Sequence, residues 1–159
     1  MQQPDSAERG ANVQIPPPIV FIAVILLGAL LQYLIAPIRF PGDAWIRILG
    51  VLLVVAGLAL IFSALAMFKT TGQDPKPWTP SPELIERGPY RWTRNPMYVG
   101  LTCVLVGLGL ALNNLWFSLL AAAALLVVHV IAVLPEEKYL KEKFGRSYVE
   151  YCTRVRRYI

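Results

Sequence analysis

The chain has 159 residues, of which 56% are hydrophobic and only 16% are charged. A soluble domain carries about 25% charged residues, so this composition excludes an ordinary water-soluble fold and predicts that the apolar excess faces lipid. The formal net charge of +5 comes from basic residues that cluster next to the apolar runs. This placement indicates contact with anionic lipid headgroups and not with nucleic acid.

The first half of the chain predicts a tail and two membrane helices. Residues 1–15 are interpreted as a disordered N-terminal tail, and residues 16–159 as a single membrane domain. Uncharged runs over residues 19–38 and 48–68 match the roughly 20 residues that a helix needs to cross a bilayer. A proline–glycine–aspartate turn at residues 41–43 separates them, and this short connection predicts antiparallel neighbours.

Residues 69–96 form a polar loop that contains six prolines. Because proline interrupts regular helices, we expect little secondary structure there. A long irregular loop inside a compact domain more often has a function than not. We therefore interpret this loop as part of a binding site.

No Asp, Glu, Lys or Arg occurs between Asn95 and Pro135. A single helix over that stretch would be about 60 Å long, which is enough for two crossings. Asn113 and Asn114 lie near the middle and favour a turn. We predict membrane helices over residues 97–112 and 115–134, joined as a tight hairpin.

The tail, residues 135–159, mixes charged residues with apolar and aromatic ones three or four residues apart. This pattern predicts an amphipathic interfacial helix, interrupted near Gly145. Lys and Arg concentrate in the 69–96 loop and the tail, which places the loop and both termini on the cytoplasmic side. The predicted fold is an all-α membrane protein with four transmembrane helices, the last two a tight hairpin, plus a cytoplasmic amphipathic C-terminal helix.

Two separated motifs carry a family resemblance. They are Gly88-Pro89-Tyr90, Arg94-Asn95-Pro96 and Tyr98-x-Gly100 at the start of the hairpin, and Glu136-Glu137, Phe144-Gly145, Tyr148 and Tyr151 in the tail. In this order and membrane context, they resemble the isoprenylcysteine carboxyl methyltransferase family and its bacterial relatives. The resemblance covers roughly residues 69–159.

The resemblance implies an integral membrane methyltransferase of a bacterial inner membrane that uses S-adenosylmethionine. The acceptor would be a lipophilic or prenylcysteine-like molecule from the bilayer, methylated on oxygen, nitrogen or sulfur. The cofactor site would form where the loop, the hairpin start and the tail meet. The implied cofactor-binding residues are Leu84, Ile85, Tyr90, Asn95, Pro96, Met97, Tyr98 and Glu136.

Methyl transfer from a sulfonium needs positioning more than acid–base help, so no single catalytic group is identified. Asn95, Tyr98 and Glu136 are the positioning candidates. The carboxylate of Glu136, at the membrane edge, can bind an ammonium or ribose hydroxyls of the cofactor. Glu137 is either a second ligand or a solvated helix start. His129 either lines the acceptor pocket or bonds to a neighbouring helix. Since it is the only histidine, no metal site is predicted.

Two positions differ from the family pattern. Asn95 stands where the family often has histidine, and Ala132 stands where the eukaryotic enzymes carry an arginine assigned to the substrate carboxylate. Two alternative functions stay open: a non-catalytic four-helix membrane accessory protein, and a membrane reductase with a nicotinamide cofactor. Under the accessory hypothesis, Tyr98→Phe and Glu136→Gln should change no ligand affinity.

Overall fold

The computed structural model describes residues 10–35, 37, 38, 40 and 44–158. These residues confirm the all-α prediction, since they contain no β-strand beyond one isolated bridge between Thr93 and Arg156. A short 3₁₀ turn, Gly88–Arg91, lies in the long loop. The α-helices are α1 Pro17–Leu34, α2 Ala44–Thr71, α3 Pro96–Ala111, α4 Leu115–Val128, α5 Leu134–Phe144 and α6 Arg146–Arg154.

Three helical stretches are long and apolar enough to cross a membrane: Pro17–Leu34, Ala44–Thr71 and Leu115–Phe144. Their outward side chains are apolar; Leu26 on α1 and Phe62 on α2, for example, are 66% and 65% exposed. Exposed apolar faces of this size are stable in lipid and not in water. The chain is therefore an integral membrane protein.

Small residues allow α2 to pack closely along α3. The buried residues of α2 are Gly50, Gly57 and Ala64, each seven residues from the next. A Cβ atom added at Gly57 would lie 2.6 Å from the carbonyl oxygen of Gly100 on α3. Since real Cβ atoms do not approach that closely, the two backbones can meet only because glycine has no side chain.

Helices α3 and α4 pack against each other and are joined by residues 112–114. Asn113 has a φ of 54°, a left-handed conformation that asparagine tolerates better than most residues. The side chain of Asn114 accepts a hydrogen bond from the backbone N–H of Trp116 and caps α4. Helix α1 packs mainly against α4 and also contacts α3. The buried side chains of this layer include Phe21, Leu105, Phe117, Ala121, Ala124 and Val128.

The fourth apolar helix extends beyond residue 134, which was predicted as the end of the fourth membrane span. It continues as one helix from Leu115 to Phe144 through a π-helical segment, His129–Val133. The cause is Pro135, which has no N–H for the usual bond and would clash with the preceding turn. One extra residue in a wider π turn relieves that conflict. The helix then breaks near Gly145, as predicted, where φ is +52°.

Other boundaries also differ from the sequence prediction. Helix α1 ends at Leu34 and not at residue 38, because Pro37 cannot donate a helical hydrogen bond. Helix α2 extends beyond residues 48–68 at both ends. Residues 10–15 were expected to be disordered, yet Ala11 and Val13 are buried, and Ala11 N donates to the carbonyl of Pro77 at 2.8 Å. Residues 1–9 and the predicted turn at 41–43 lie outside the described residues.

Candidate functional site

A cavity lies where the proline-rich loop, the start of α3 and the helices α5 and α6 meet. Its walls come from residues 68–85, 90–98 and 136–151. Three local features shape these segments. The prolines keep the loop irregular, Pro96 begins α3, and the π-helical segment sets the rotation of α5 about its axis. The structure brings together all eight residues predicted for the cofactor, namely Leu84, Ile85, Tyr90, Asn95, Pro96, Met97, Tyr98 and Glu136.

Tyr98 and Glu136 form the central polar pair of the cavity. The Tyr98 hydroxyl donates to Glu136 Oε1 at 2.5 Å, and the side chain of Tyr98 is only 6% exposed. Both residues lie in the first turn of a helix, Tyr98 in α3 and Glu136 in α5. Among the described residues, Tyr98 is the one hydrogen-bond donor that contacts this carboxylate. The second carboxylate oxygen can therefore bind a ligand that carries a donor or a positive charge.

The position of Glu136 depends on the π segment that precedes it. Each additional residue in a helix rotates the following side chains by about 100°, because an α-helix has about 3.6 residues per turn. The extra residue between His129 and Val133 thus decides which face of α5 carries Glu136. π turns of this kind are frequent at functional sites.

Asn95 lies at the junction between the loop and α3 and is 8% exposed. Its side-chain Nδ2 donates to the carbonyl oxygen of Arg157 at 3.0 Å. Its backbone N–H donates to Thr93 Oγ1 at 3.2 Å. The Asn95 amide group is therefore bound to the C-terminal backbone and holds the start of α3 in place.

Glu137 faces an ion-pair cluster on the cavity wall and is not a solvated helix start. Arg157 donates to both oxygens of its carboxylate, Nε at 2.8 Å and Nη2 at 2.7 Å. Arg94 Nη1 lies 3.1 Å from Glu137 Oε1 and also donates to Cys152 Sγ at 2.7 Å. The hydrogen bonds to Glu137 raise the pKa of the Arg157 guanidinium, so this pair stays charged.

Tyrosine is the commonest polar side chain on the cavity wall, and sequence reasoning missed part of this set. The Tyr151 hydroxyl donates to the carbonyl of Tyr90 at 2.7 Å, which ties α6 to the 3₁₀ turn. The Tyr139 hydroxyl accepts from Ser81 N at 3.1 Å, which ties α5 to the loop. Tyr148 also lines the cavity. Leu140, Phe144, Tyr148 and Tyr151 follow one another at three- or four-residue intervals, which indicates one shared face but not what that face contacts.

Two of these phenols stay neutral at physiological pH. Burial raises the pKa of Tyr90 above its ordinary value, and the nearby Glu136 carboxylate adds to the effect. Burial also raises the pKa of Tyr151, and Glu86 adds to it. Both side chains therefore offer a neutral hydroxyl and an aromatic face, which attracts cations.

His129 does not line this cavity. Its Nδ1 atom lies 2.8 Å from the hydroxyl of Tyr158, so the ring is bonded to the end of the chain. Ala132, in the same π segment, is fully buried. Within the described part of the chain, no group of three or more His, Cys, Asp or Glu residues could hold a metal ion.

Comparisons with known proteins place the chain among membrane-associated methyltransferases by sequence. The family model for phospholipid methyltransferases matches residues 45–147, which include α2, α3, α4, α5 and most of the cavity wall. A protein-S-isoprenylcysteine O-methyltransferase B from Arabidopsis thaliana is 28% identical over 144 residues, covering 84% of this chain and 70% of that relative. These matches confirm the methyltransferase resemblance that the two motifs predicted.

Proposed function

This chain belongs to the phospholipid methyltransferase family, and from that premise we propose that it is an integral membrane methyltransferase that uses S-adenosylmethionine. The main support is the cavity, in which the buried Tyr98–Glu136 pair meets residues from the loop, α3, α5 and α6. A concave site with few, well-placed polar groups is what a small-molecule cofactor needs.

The chemistry of the cavity wall fits this cofactor. When bound, S-adenosylmethionine supplies a methyl group on a positively charged sulfur. Glu136 offers negative charge, and Tyr90 and Tyr98 offer aromatic faces, which together favour a cation. Leu84, Ile85 and Met97 offer apolar surface for the flat, weakly polar part of such a ligand and exclude water from it.

We further propose that residues 16–159 form one membrane domain with four transmembrane helices. The 16-residue α3 is the third crossing, because it runs alongside α2 and α4, which belong to two of the long apolar stretches. Helices α3 and α4 then form the hairpin. The basic loop and tail, and with them both termini, face the cytoplasm under the positive-inside rule. The cavity therefore opens to cytosolic cofactor.

The proposed acceptor is a lipophilic molecule that reaches the cavity from the bilayer. The cavity lies at the cytoplasmic ends of α3 and α4, so a chain-bearing acceptor can keep its apolar part among lipids while its polar group enters. The family's name refers to phospholipids, and the Arabidopsis relative's name to isoprenylcysteine. We propose that this chain methylates one of these two classes.

The test is methyl transfer by the purified protein in lipid–detergent micelles with methyl-labelled S-adenosylmethionine. An S-isoprenylcysteine analogue and an amine-bearing phospholipid are offered in separate reactions. Label in the organic extract of one reaction, abolished or strongly reduced by Glu136→Gln, is the expected result. No transfer to either acceptor, together with no cofactor binding, would favour a non-catalytic accessory protein.

A further inference from the structure

The last described residues of the chain return to the cavity wall after α6 ends at Arg154. We call residues 155–158 the C-terminal strap. Its backbone is extended at Val155 and runs beside the segment that precedes α3, where Thr93 and Arg156 form a parallel bridge. The backbone N–H of Arg94 donates to the carbonyl of Arg156 at 2.9 Å.

One carbonyl of the strap binds two buried side chains of the site. The oxygen of Arg157 accepts from Thr93 Oγ1 at 3.1 Å and from Asn95 Nδ2 at 3.0 Å. Thr93 and Asn95 are 6% and 8% exposed, so neither has ready access to water as a replacement. Loss of a partner for a buried polar group is costly, and the strap is therefore strongly coupled to the start of α3.

The side chains of the strap reach the other wall of the cavity. The Arg157 guanidinium binds both oxygens of Glu137, the residue next to Glu136 on α5. The Tyr158 hydroxyl lies 2.8 Å from His129 Nδ1, at the start of the π segment. The strap thus connects the two chain segments that carry Asn95 and Glu136.

We propose that the C-terminal strap positions the cofactor site, with Arg157 as the positioning residue that acts through Glu137 and Asn95. This inference rests on the proposed function, because it assigns the strap a role in cofactor affinity. Arg157 itself does not line the cavity. Without the strap, the segment before α3 loses its hydrogen bonds to the backbone of Arg156 and Arg157, and Asn95 is held less firmly relative to Glu136.

The test compares Arg157→Gln with Arg156→Gln, which removes the same charge one residue away. The side chain of Arg156 is exposed, and no ion pair or hydrogen bond of that side chain occurs among the described residues. Arg157→Lys keeps the charge but not the two-pronged geometry, and it serves as a milder variant should Arg157→Gln fold poorly. Each protein is studied by hydrogen exchange without ligand and by calorimetric titration with S-adenosylhomocysteine.

The expected results are faster exchange of the amides of residues 93–95 and about tenfold weaker binding in Arg157→Gln, with Arg156→Gln unchanged. In a Glu137→Gln background, Arg157→Gln should add little further loss, since the two residues act together. Titration reports stoichiometry separately from affinity, so a lower folded fraction is not mistaken for weaker binding.

Two outcomes would overturn the proposal. Unchanged exchange at residues 93–95 would show that the Arg157–Glu137 ion pair does not hold the strap against the loop. Faster exchange with unchanged affinity would make the strap a stabilising contact without a role in binding. Failure of the wild-type protein to bind would overturn the proposed function and the strap's role in affinity together, while the exchange result still decides whether the Arg157–Glu137 ion pair holds the strap against the loop.

Discussion

Replacing Tyr98 by phenylalanine removes one hydroxyl and leaves the ring in place. In the native structure that hydroxyl donates to the buried Glu136 carboxylate at 2.5 Å. Hydrogen bonds to charged groups contribute about 1.5–3 kcal/mol, so we expect Tyr98→Phe to lower the free energy of unfolding by about that amount. Thermal unfolding in detergent measures this change, and Tyr33→Phe on the exposed face of α1 is the matched control.

The same substitution should weaken cofactor binding for a separate reason. Without the Tyr98 hydroxyl, the Glu136 side chain is free to rotate, and a ligand must immobilise it at a cost of about 0.5–1.5 kcal/mol. At about 1.4 kcal/mol per factor of ten, the Kd for S-adenosylhomocysteine should rise about 2- to 10-fold. Glu136→Gln removes the charge itself and should have a larger effect, about 10- to 100-fold.

The two readouts separate the ways in which this reasoning can fail. Unchanged stability and affinity in Tyr98→Phe would mean that the hydrogen bond to Glu136 does not form. Reduced stability with unchanged affinity would mean that the pair supports the fold and does not bind the cofactor.

Three further predictions concern packing, the loop and pH. Gly57→Leu should lower the free energy of unfolding by about 3 kcal/mol or more, because a Cβ there would lie 2.6 Å from a backbone oxygen of α3, whereas Ala59→Leu on the exposed face should not. Asn95→Asp should weaken S-adenosylhomocysteine binding about tenfold in a titration, because a carboxylate would face the carbonyl of Arg157 and lose the donor. Burial raises the pKa of Tyr151, so the native state holds that proton more tightly. The contribution of Tyr151 to stability should be constant below about pH 10 and fall above it, and Tyr151→Phe should reduce the loss of stability above that pH in unfolding scans.

Part of the site could be predicted from sequence because its residues lie in two compact motifs. Pro96 marks the start of α3 because it lacks an N–H, and that fixes Asn95 and Tyr98 at the membrane edge. Glu136 is the first charged residue after the long uncharged stretch that begins at Asn95, so its place near the same edge followed from helix length. The pairing of Tyr98 with Glu136 needed the structure, because it depends on the rotation of α5.

The parts that sequence reasoning missed depend on contacts between distant segments. A π turn inserts one residue without leaving a helix, so no hydrophobic pattern shows it; Pro135 was the available indication. Ala11 is buried beside Pro77, where two irregular segments meet. Irregular segments have no hydrophobic periodicity from which such a contact could be predicted. The C-terminal strap also depends on a contact between distant segments. Composition alone assigns Arg157 to a basic cluster at the lipid surface, and its pairing with Glu137 is visible only in the structure.

Calorimetric titration of the wild-type protein in detergent with S-adenosylhomocysteine tests the central claim most directly, with Glu136→Gln as its partner. A methyltransferase cofactor site predicts saturable binding at one site per chain that the substitution weakens by about 10- to 100-fold. Absence of binding to protein that unfolds cooperatively on heating would contradict the cofactor site and with it the proposed activity.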